Sequence, residues 1–423
     1  VDREAFVRLL GDEGQALLAS LRDFEPDREL AVATRLRRSH PPELVSAALA
    51  QARLRQRAVA KFGPEDAARM YFTPHGLEQS TRASVAAYRA RRFAGGSGRL
   101  PDDGQRPGPG VRRIADLCCG IGGDAIALAR AGVHVLAVDR DPLTCEVARA
   151  NAAALGLGGL IEVRCQDAGD ADISGHDAVF IDPARRDGRG RVFDPEAYSP
   201  PLSWAVEVAG RVSHAALKVA PGIPHEAVPQ GAEAEWISVG GDVKEAVLWF
   251  GTQEPGPAPN SLVRATLLPG PHSLRSRGLP DPPAGEVGRY LYEPDGAVVR
   301  AHLVAEVADR LGGRLIDPTI AYVTCDEPHS TPYATGYEIT DVLPFGLKRL
   351  RALLRERGVG VATIKKRGSA VEPSELRKKL KLAGPNACTV FLTRVAGAPT
   401  VLLGRPLAPA EVSSPANVRS RHG

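Results

Sequence analysis

The chain has 423 residues, 43% hydrophobic and 25% charged, with a formal net charge of only +4. That length accommodates two or three domains with full cores, and no run of 18 apolar residues offers a transmembrane helix. The charged start VDREAFVRLLGDEG has no signal-peptide core, and six scattered cysteines without a CxxC pair suggest neither zinc nor a redox motif. A reducing cytoplasm is the expected location, with no membrane, no metal and no obligate protein partner.

Residues 1–93 read as a helical, arginine-rich region, with apolar positions at helical spacing in REAFVRLLGDEGQALLASL and PPELVSAALAQARLRQRAVAKF. Within it, Thr73-Pro74 marks a helix start and Ser80 or Thr81 a cap for the next helix. His75 reads as a surface or capping residue. Residues 94–110, AGGSGRLPDDGQRPGPG, have the composition of a flexible linker.

From 111 to 251 strand and helix alternate. Seven strands are expected, at RIADLCC, HVLAVD, LIEVRCQD, DAVFIDP, AALKVAPG, AEWISVGG and EAVLWFG. Such alternation makes a mostly parallel sheet covered on both faces. Only GGDVKE separates the last two strands, too little for a crossover, so they should pair antiparallel at one edge.

Residues 252–344 open on the Pro/Gly-rich GTQEPGPAPN and remain a connecting region of unclear fold and no assigned function. Residues 345–408 read as a small basic α/β unit, and 409–423 are expected to be a disordered tail. Six of the nine lysines fall between Lys348 and Lys381, beside six arginines and only three acids. A cationic surface of that kind suits phosphate. Lys365, Lys366, Arg367, Lys378 and Lys379 are the candidate RNA-binding residues; with few aromatics among them, structured RNA is the better fit than single strands.

The stretch ADLCCGIGGDAIALARAGVHVLAVDRD, residues 115–141, carries the chemistry. Its loop can be forced onto G-x-G-x-x-[GA], with Asp139 placed like the ribose acid of a dinucleotide site. Asp116, four residues before Gly120, would repel a pyrophosphate but favours the sulfonium and ammonium groups of S-adenosylmethionine. The third strand ends in Gln166-Asp167 and the fourth in Asp182-Pro183-Ala184-Arg185. Acids at four successive strand ends line the carboxyl edge where open α/β sheets bind ligands. A methyl-donor site is the expected reading.

DLCCGIGGDAIALA, VLAVDRDPLTCEVARANAAALGL and DAVFIDPAR resemble motifs I, II and IV of class I S-adenosylmethionine-dependent methyltransferases, the first two being especially similar to trimethylguanosine synthase-like RNA enzymes. With IKKRGSAVEPSELRKKLKLAG, the whole chain resembles bacterial methyltransferases carrying a C-terminal THUMP-like domain. The resemblance implies a seven-stranded Rossmann-like sheet with an N-terminal helical region and a C-terminal THUMP-like α/β domain. It implies S-adenosylmethionine as cofactor, held by Asp116, Cys119, Gly120, Gly122, Asp139 and Asp167. Asp116 and the backbone around Gly120 and Gly122 would hold the methionine moiety, Asp139 the ribose and Asp167 the adenine amino group. Asp182, Pro183 and Arg185 would border the reacting atoms, and Glu78–Thr81 would cover the donor.

Arg185 departs from the aromatic residue that amino-group methyltransferases place at that position, which puts amino-group methylation in doubt. Arg185 and Arg186 could grip a phosphate or lie on a base. A carbon-directed enzyme would need a cysteine nucleophile, for which Cys325 is the loop-like candidate. The expected function is methyl transfer to a nucleobase of tRNA or rRNA. The alternatives are a small-molecule or protein methyltransferase, or a non-catalytic RNA-binding protein.

Overall fold

The structure, a computed structural model, describes residues 2–95, 110–184, 186–187, 190–191, 194–251 and 262–407. Most of the expected linker, Arg185 and the expected tail lie outside them. The chain divides into two compact units, Val1–Pro257 with Leu268–Ser273, and Ala258–Leu267 with Leu274–Gly423.

In the first unit the seven strands form where the alternation expects them: β1 (Arg113–Leu117), β2 (His134–Asp139), β3 (Ile161–Cys165), β4 (Ala178–Ile181), β5 (His214–Val219), β6 (Glu233–Val239) and β7 (Asp242–Phe250). Their order is β6-β7-β5-β4-β1-β2-β3. Strands β1 to β5 run parallel, while β7 is antiparallel to both β5 and β6. This is the arrangement that the resemblance implies, a parallel sheet ending in an antiparallel hairpin. The central strands are buried along nearly their whole length, as expected for a sheet covered on both faces.

The N-terminal helices belong to this unit and share its core. Phe62, Phe72, Leu77, Val85, Tyr88 and Phe93 pack in one cluster with Ile114, Val135, Phe180 and Trp249 from the sheet. Two buried amides clasp the chain where it leaves the helix Pro42–Arg69. Gln51 donates to the Phe72 carbonyl and accepts from its N–H, and Asn151 does the same for Tyr71 while also donating to the Ile121 carbonyl. Residues 73–82 are thereby held beside the glycine loop. The approach is close: a Cβ on Gly76 would stand 2.4 Å from Ile121 Cγ2.

Buried ion pairs tie helix Ala83–Phe93 to the sheet. The Arg89 guanidinium meets Asp124 at 2.9 Å and Glu245 at 2.7 Å, and lies 4.3 Å from the centre of the Phe180 ring. Arg92 meets Glu233 and Glu235, both at 2.7 Å, above the Trp249 ring. Sequence periodicity shows these arginines only as part of a basic run. The expected Ser80 or Thr81 cap is not made: Arg82 is the N-cap, without a side-chain bond. Thr73 does cap helix Pro74–Gln79, accepting from Gly76 N at 2.9 Å.

The region 252–344 is more ordered than its sequence suggests. Strands Val263–Leu268 and His272–Arg275 lie where the chain passes between units. Beyond them, β8 (Tyr290–Pro294), β9 (Arg314–Asp317), β10 (Ile320–Cys325) and β11 (Ala334–Pro344) share one sheet with β12 (Val359–Lys366), β13 (Asn386–Val395) and β14 (Ala398–Pro406), in the order β9-β10-β8-β11-β14-β13-β12. All neighbours are antiparallel except β12 and β13. The basic unit expected at 345–408 is thus the end of a larger sheet. Its pattern faded upstream because β11 is half exposed along its length.

Arg89→Ala leaves Glu245 and Asp124 buried without their cation. Such a loss costs about 3–5 kcal/mol, and chemical denaturation should show a correspondingly lower midpoint with the far-UV spectrum retained below it.

Candidate active site

A cavity of about 1080 Å³ opens at the carboxyl ends of β1, β2 and β4, between the glycine loop and residues 73–85. Drug-sized ligands fill roughly 300–1,000 Å³, so it has room for a nucleoside-sized donor and part of a second molecule. Asp139, Asp167 and Asp182 line it, as do Cys119, Gly120 and Pro183.

Asp139 closes β2 and braces the loop: one carboxylate oxygen accepts from Gly120 N and the other from Asp141 N, both at 3.0 Å. Asp167 is exposed and accepts from Gly169 N at 2.9 Å. Cys119 is fixed by its N–H to the Val138 carbonyl. Gly122 does not line the cavity; it turns the chain into helix Gly123–Arg130 with φ +85°, a conformation that favours glycine.

Asp116 differs from its expected place. It is wholly buried behind the cavity wall, and neither carboxylate oxygen has a hydrogen-bond partner among the described residues. Burial pushes its carboxyl well above the usual range, Asp124 and Asp182 push it further, and Arg89 opposes them. Two orphaned acceptors behind a loop rimmed by acids suit a cationic ligand group.

Asp182 follows β4, and its Oδ2 accepts from Lys218 Nζ at 2.6 Å. The same ammonium donates to Thr81 Oγ1 at 3.0 Å, so Lys218 links residues 73–82 to the Asp182 loop. Lys61 donates to the carbonyls of Leu77 (2.7 Å), Glu78 (2.7 Å) and Ser80 (2.8 Å). Burial, Lys218 and Arg82 push its ammonium down to about 8. Neither lysine was singled out from the sequence, yet a signal was present. In a chain whose default base is arginine, the three lysines outside the C-terminal cluster are Lys61, Lys218 and Lys244. All three line this cavity, as do Glu78, Gln79, Ser80 and Thr81.

Neither cysteine that lines the cavity sits where a thiolate is favoured. Burial, then Asp139 and Asp182, push the Cys118 thiol upward, and burial with Asp116 does so for Cys119. Cys325 is not in a loop but buried at the end of β10, where its thiol donates to the Glu327 carbonyl at 3.0 Å. Among the described residues no group of three or more His, Cys, Asp or Glu is arranged to hold a metal, and no helix is long and apolar enough to cross a membrane.

The basic candidates of the second unit are not one free patch. Lys365 pairs with Glu293 and stands over the Tyr337 ring. Arg367 donates to the Ala321 carbonyl at 2.7 Å and lies over Tyr322. Lys366 pairs with Glu372, and Lys378 with Glu375. Lys379 is exposed and, like exposed Lys348, Arg349, Arg355 and Lys381, makes no ion pair among the described residues. These residues lie on or beside helices Leu347–Glu356 and Pro373–Leu380, whose apolar faces share one core cluster on the sheet.

Residues 114–182 match the model of a methyltransferase domain, 334–406 a THUMP domain-like model and 2–58 a domain of unknown function. An uncharacterized S-adenosylmethionine-dependent methyltransferase of Mycobacterium tuberculosis is 34% identical over 350 residues, 81% of this chain and 90% of that protein, in each of two strains. A crystal structure from Porphyromonas gingivalis W83 shares the fold, superposing with a TM-score of 0.72 at 24% identity and covering 92% of this chain and all of that one. The chain belongs to the S-adenosylmethionine-dependent methyltransferases, as a class I enzyme with a THUMP-like domain, and S-adenosylmethionine is its methyl donor.

Proposed function

We propose that this methyltransferase modifies a nucleobase of tRNA or rRNA. One observation carries the reading: the chain with the donor cavity also carries a THUMP-like sheet whose two helices present exposed Lys348, Arg349, Arg355 and Lys379, which make no ion pair among the described residues. Helical cations of this kind track a phosphate backbone without reading sequence.

In this reading Asp139 accepts the ribose hydroxyls of the donor and Asp167 its adenine amino group. Cys119, Gly120 and the turn at Gly122 shape the loop around the methionine moiety, and Asp116 balances its cationic end. The donor supplies an electrophilic methyl group on a sulfonium. Asp182, held by Lys218, accepts a hydrogen bond from the acceptor base and aims its lone pair at that methyl. Pro183 shapes the wall beside it. Little covalent help is needed, because alignment supplies most of the acceleration.

The test is transfer of radiolabelled methyl to RNA from cells lacking the gene. Label should enter one RNA size class and be lost with Asp182→Ala; no incorporation into free or assembled RNA, with donor binding confirmed, sinks the reading. RNA affinity should fall with salt. Replacing Lys348, Arg349 and Lys379 together with alanine should lower the slope of log affinity against log salt by about 2–3. Lys365→Ala should leave that slope unchanged, because Lys365 is already engaged with Glu293.

Asp116 yields a pH prediction. Its folded carboxyl lies above the ordinary value, so the unfolded chain releases that proton first and the residue erodes stability as pH rises from about 4 through the raised value. Asp116→Asn removes that penalty, and thermal unfolding at neutral pH should show it at least as stable as the parent. Donor affinity should fall by at least tenfold in the variant. In the parent it should rise with pH, since binding a cation draws the proton off Asp116; in the variant this rise should be absent.

A further inference from the structure

The chain has three tryptophans. Trp236 and Trp249 are wholly buried, and each indole N–H is satisfied, by the Pro221 carbonyl at 3.0 Å and the Glu235 carboxylate at 2.8 Å. Trp204 differs on every count. It is partly exposed, it lines the cavity that holds Asp182, and its N–H has no hydrogen-bond partner among the described residues. No other Phe, Tyr or Trp appears among the described lining residues.

Its position is built. Ala184 and Ser199 exchange backbone hydrogen bonds of 2.9 and 3.0 Å, stitching the chain that leads to Trp204 onto the Asp182–Ala184 segment. Trp204 then sits in the first turn of helix Leu202–Ala209. That turn is anchored by Glu196, which accepts from Ser203 N at 3.0 Å and from Ser203 Oγ at 2.7 Å. An aromatic ring held at the cavity wall beside Asp182, rather than folded into the core, presents its face to a planar ligand in the cavity.

We infer that Trp204 is the platform on which the planar acceptor ring stacks during methyl transfer. It supplies, from the neighbouring helix, the aromatic face that Arg185 does not provide at the fourth position of Asp182-Pro183-Ala184-Arg185. The indole N–H, lying in the ring plane, is left for a sugar or phosphate oxygen. This inference rests on the nucleobase reading above.

The test separates the two. Protein saturated with S-adenosylhomocysteine is titrated with tRNA, with rRNA fragments and with nucleoside 5′-monophosphates. Indole fluorescence is excited at the red edge, where bases do not absorb, and methyl transfer to RNA is measured in parallel. The expected result is quenching in the parent that disappears in Trp204→Leu. Transfer should fall roughly 10- to 100-fold in Trp204→Leu and stay within a few-fold in Trp204→Phe, with S-adenosylhomocysteine affinity unchanged in both. Quenching by nucleotides that depends on Trp204, without transfer to any RNA, keeps the platform and sinks the RNA reading. Transfer undiminished in Trp204→Leu, quenching that persists without Trp204, or no quenching by any probe overturns the inference, whether or not RNA is methylated.

Discussion

The first unit depends on the pairing of one buried guanidinium. Arg89 is 2% exposed, and a charge so placed is tolerated only where acids meet it. Asp124 and Glu245 do so from two directions, one from the helix that follows the glycine loop and the other from β7. The pairing therefore fixes the separation of three elements at once: helix Ala83–Phe93, the loop helix and the sheet's antiparallel strand. Arg92, one helical turn on, repeats the arrangement with Glu233 and Glu235. The N-terminal helices are consequently part of the catalytic unit, and residues 73–82, which lead into helix Ala83–Phe93, form one wall of the cavity.

The same constraint shapes the electrostatics of the cavity. Asp116, Asp124, Asp139 and Asp182 lie close enough to raise the protonation preference of Asp116 and the cysteines around it. Arg89 neutralises Asp124, and Lys218 neutralises Asp182. Among the described residues Asp116 has no such partner, so behind its glycine loop the site carries a buried carboxyl with no direct ion pair. A neutral ligand would leave that carboxyl unmatched; a donor with a fixed positive charge matches it. The choice of a sulfonium donor is thus favoured by charge balance as well as by the shape of the loop.

Most of the first unit's fold was legible in sequence because its strands are short apolar runs punctuated by acids and glycines. The β6–β7 pairing could be foreseen because GGDVKE is too short to cross over. Asp139, Asp167 and Asp182 were legible as strand-end acids, and the structure brings all three to one cavity. The burial of Asp116 was not, because periodicity within a strand does not tell a rim from a wall. Lys61, Lys218 and Trp204 were missed for another reason: the partners of the two lysines lie 16 to 137 residues away, and Trp204 is brought to the cavity by the Ala184–Ser199 backbone pairing rather than by any local pattern. The second sheet was read only at its end, since its central strand β11 alternates weakly and faces solvent along much of its length.

Strand geometry explains why a run of lysines is a poor guide to a binding surface. Lys365 and Lys366 are neighbours in sequence, but successive side chains of a strand point to opposite faces. One meets Glu293 and Tyr337, the other Glu372 near helix Pro373–Leu380. A pair that reads as doubled charge is divided between two faces and paired on each. The helices behave differently: Leu350, Leu354, Leu376 and Leu380 point inward, so the cations between them are turned outward by the same 3.6-residue period. Positive charge available to a polyanion in this unit therefore lies on the helical layer, while Lys365 is a counter-ion to Glu293 of the sheet and Lys366 to Glu372 at the start of helix Pro373–Leu380.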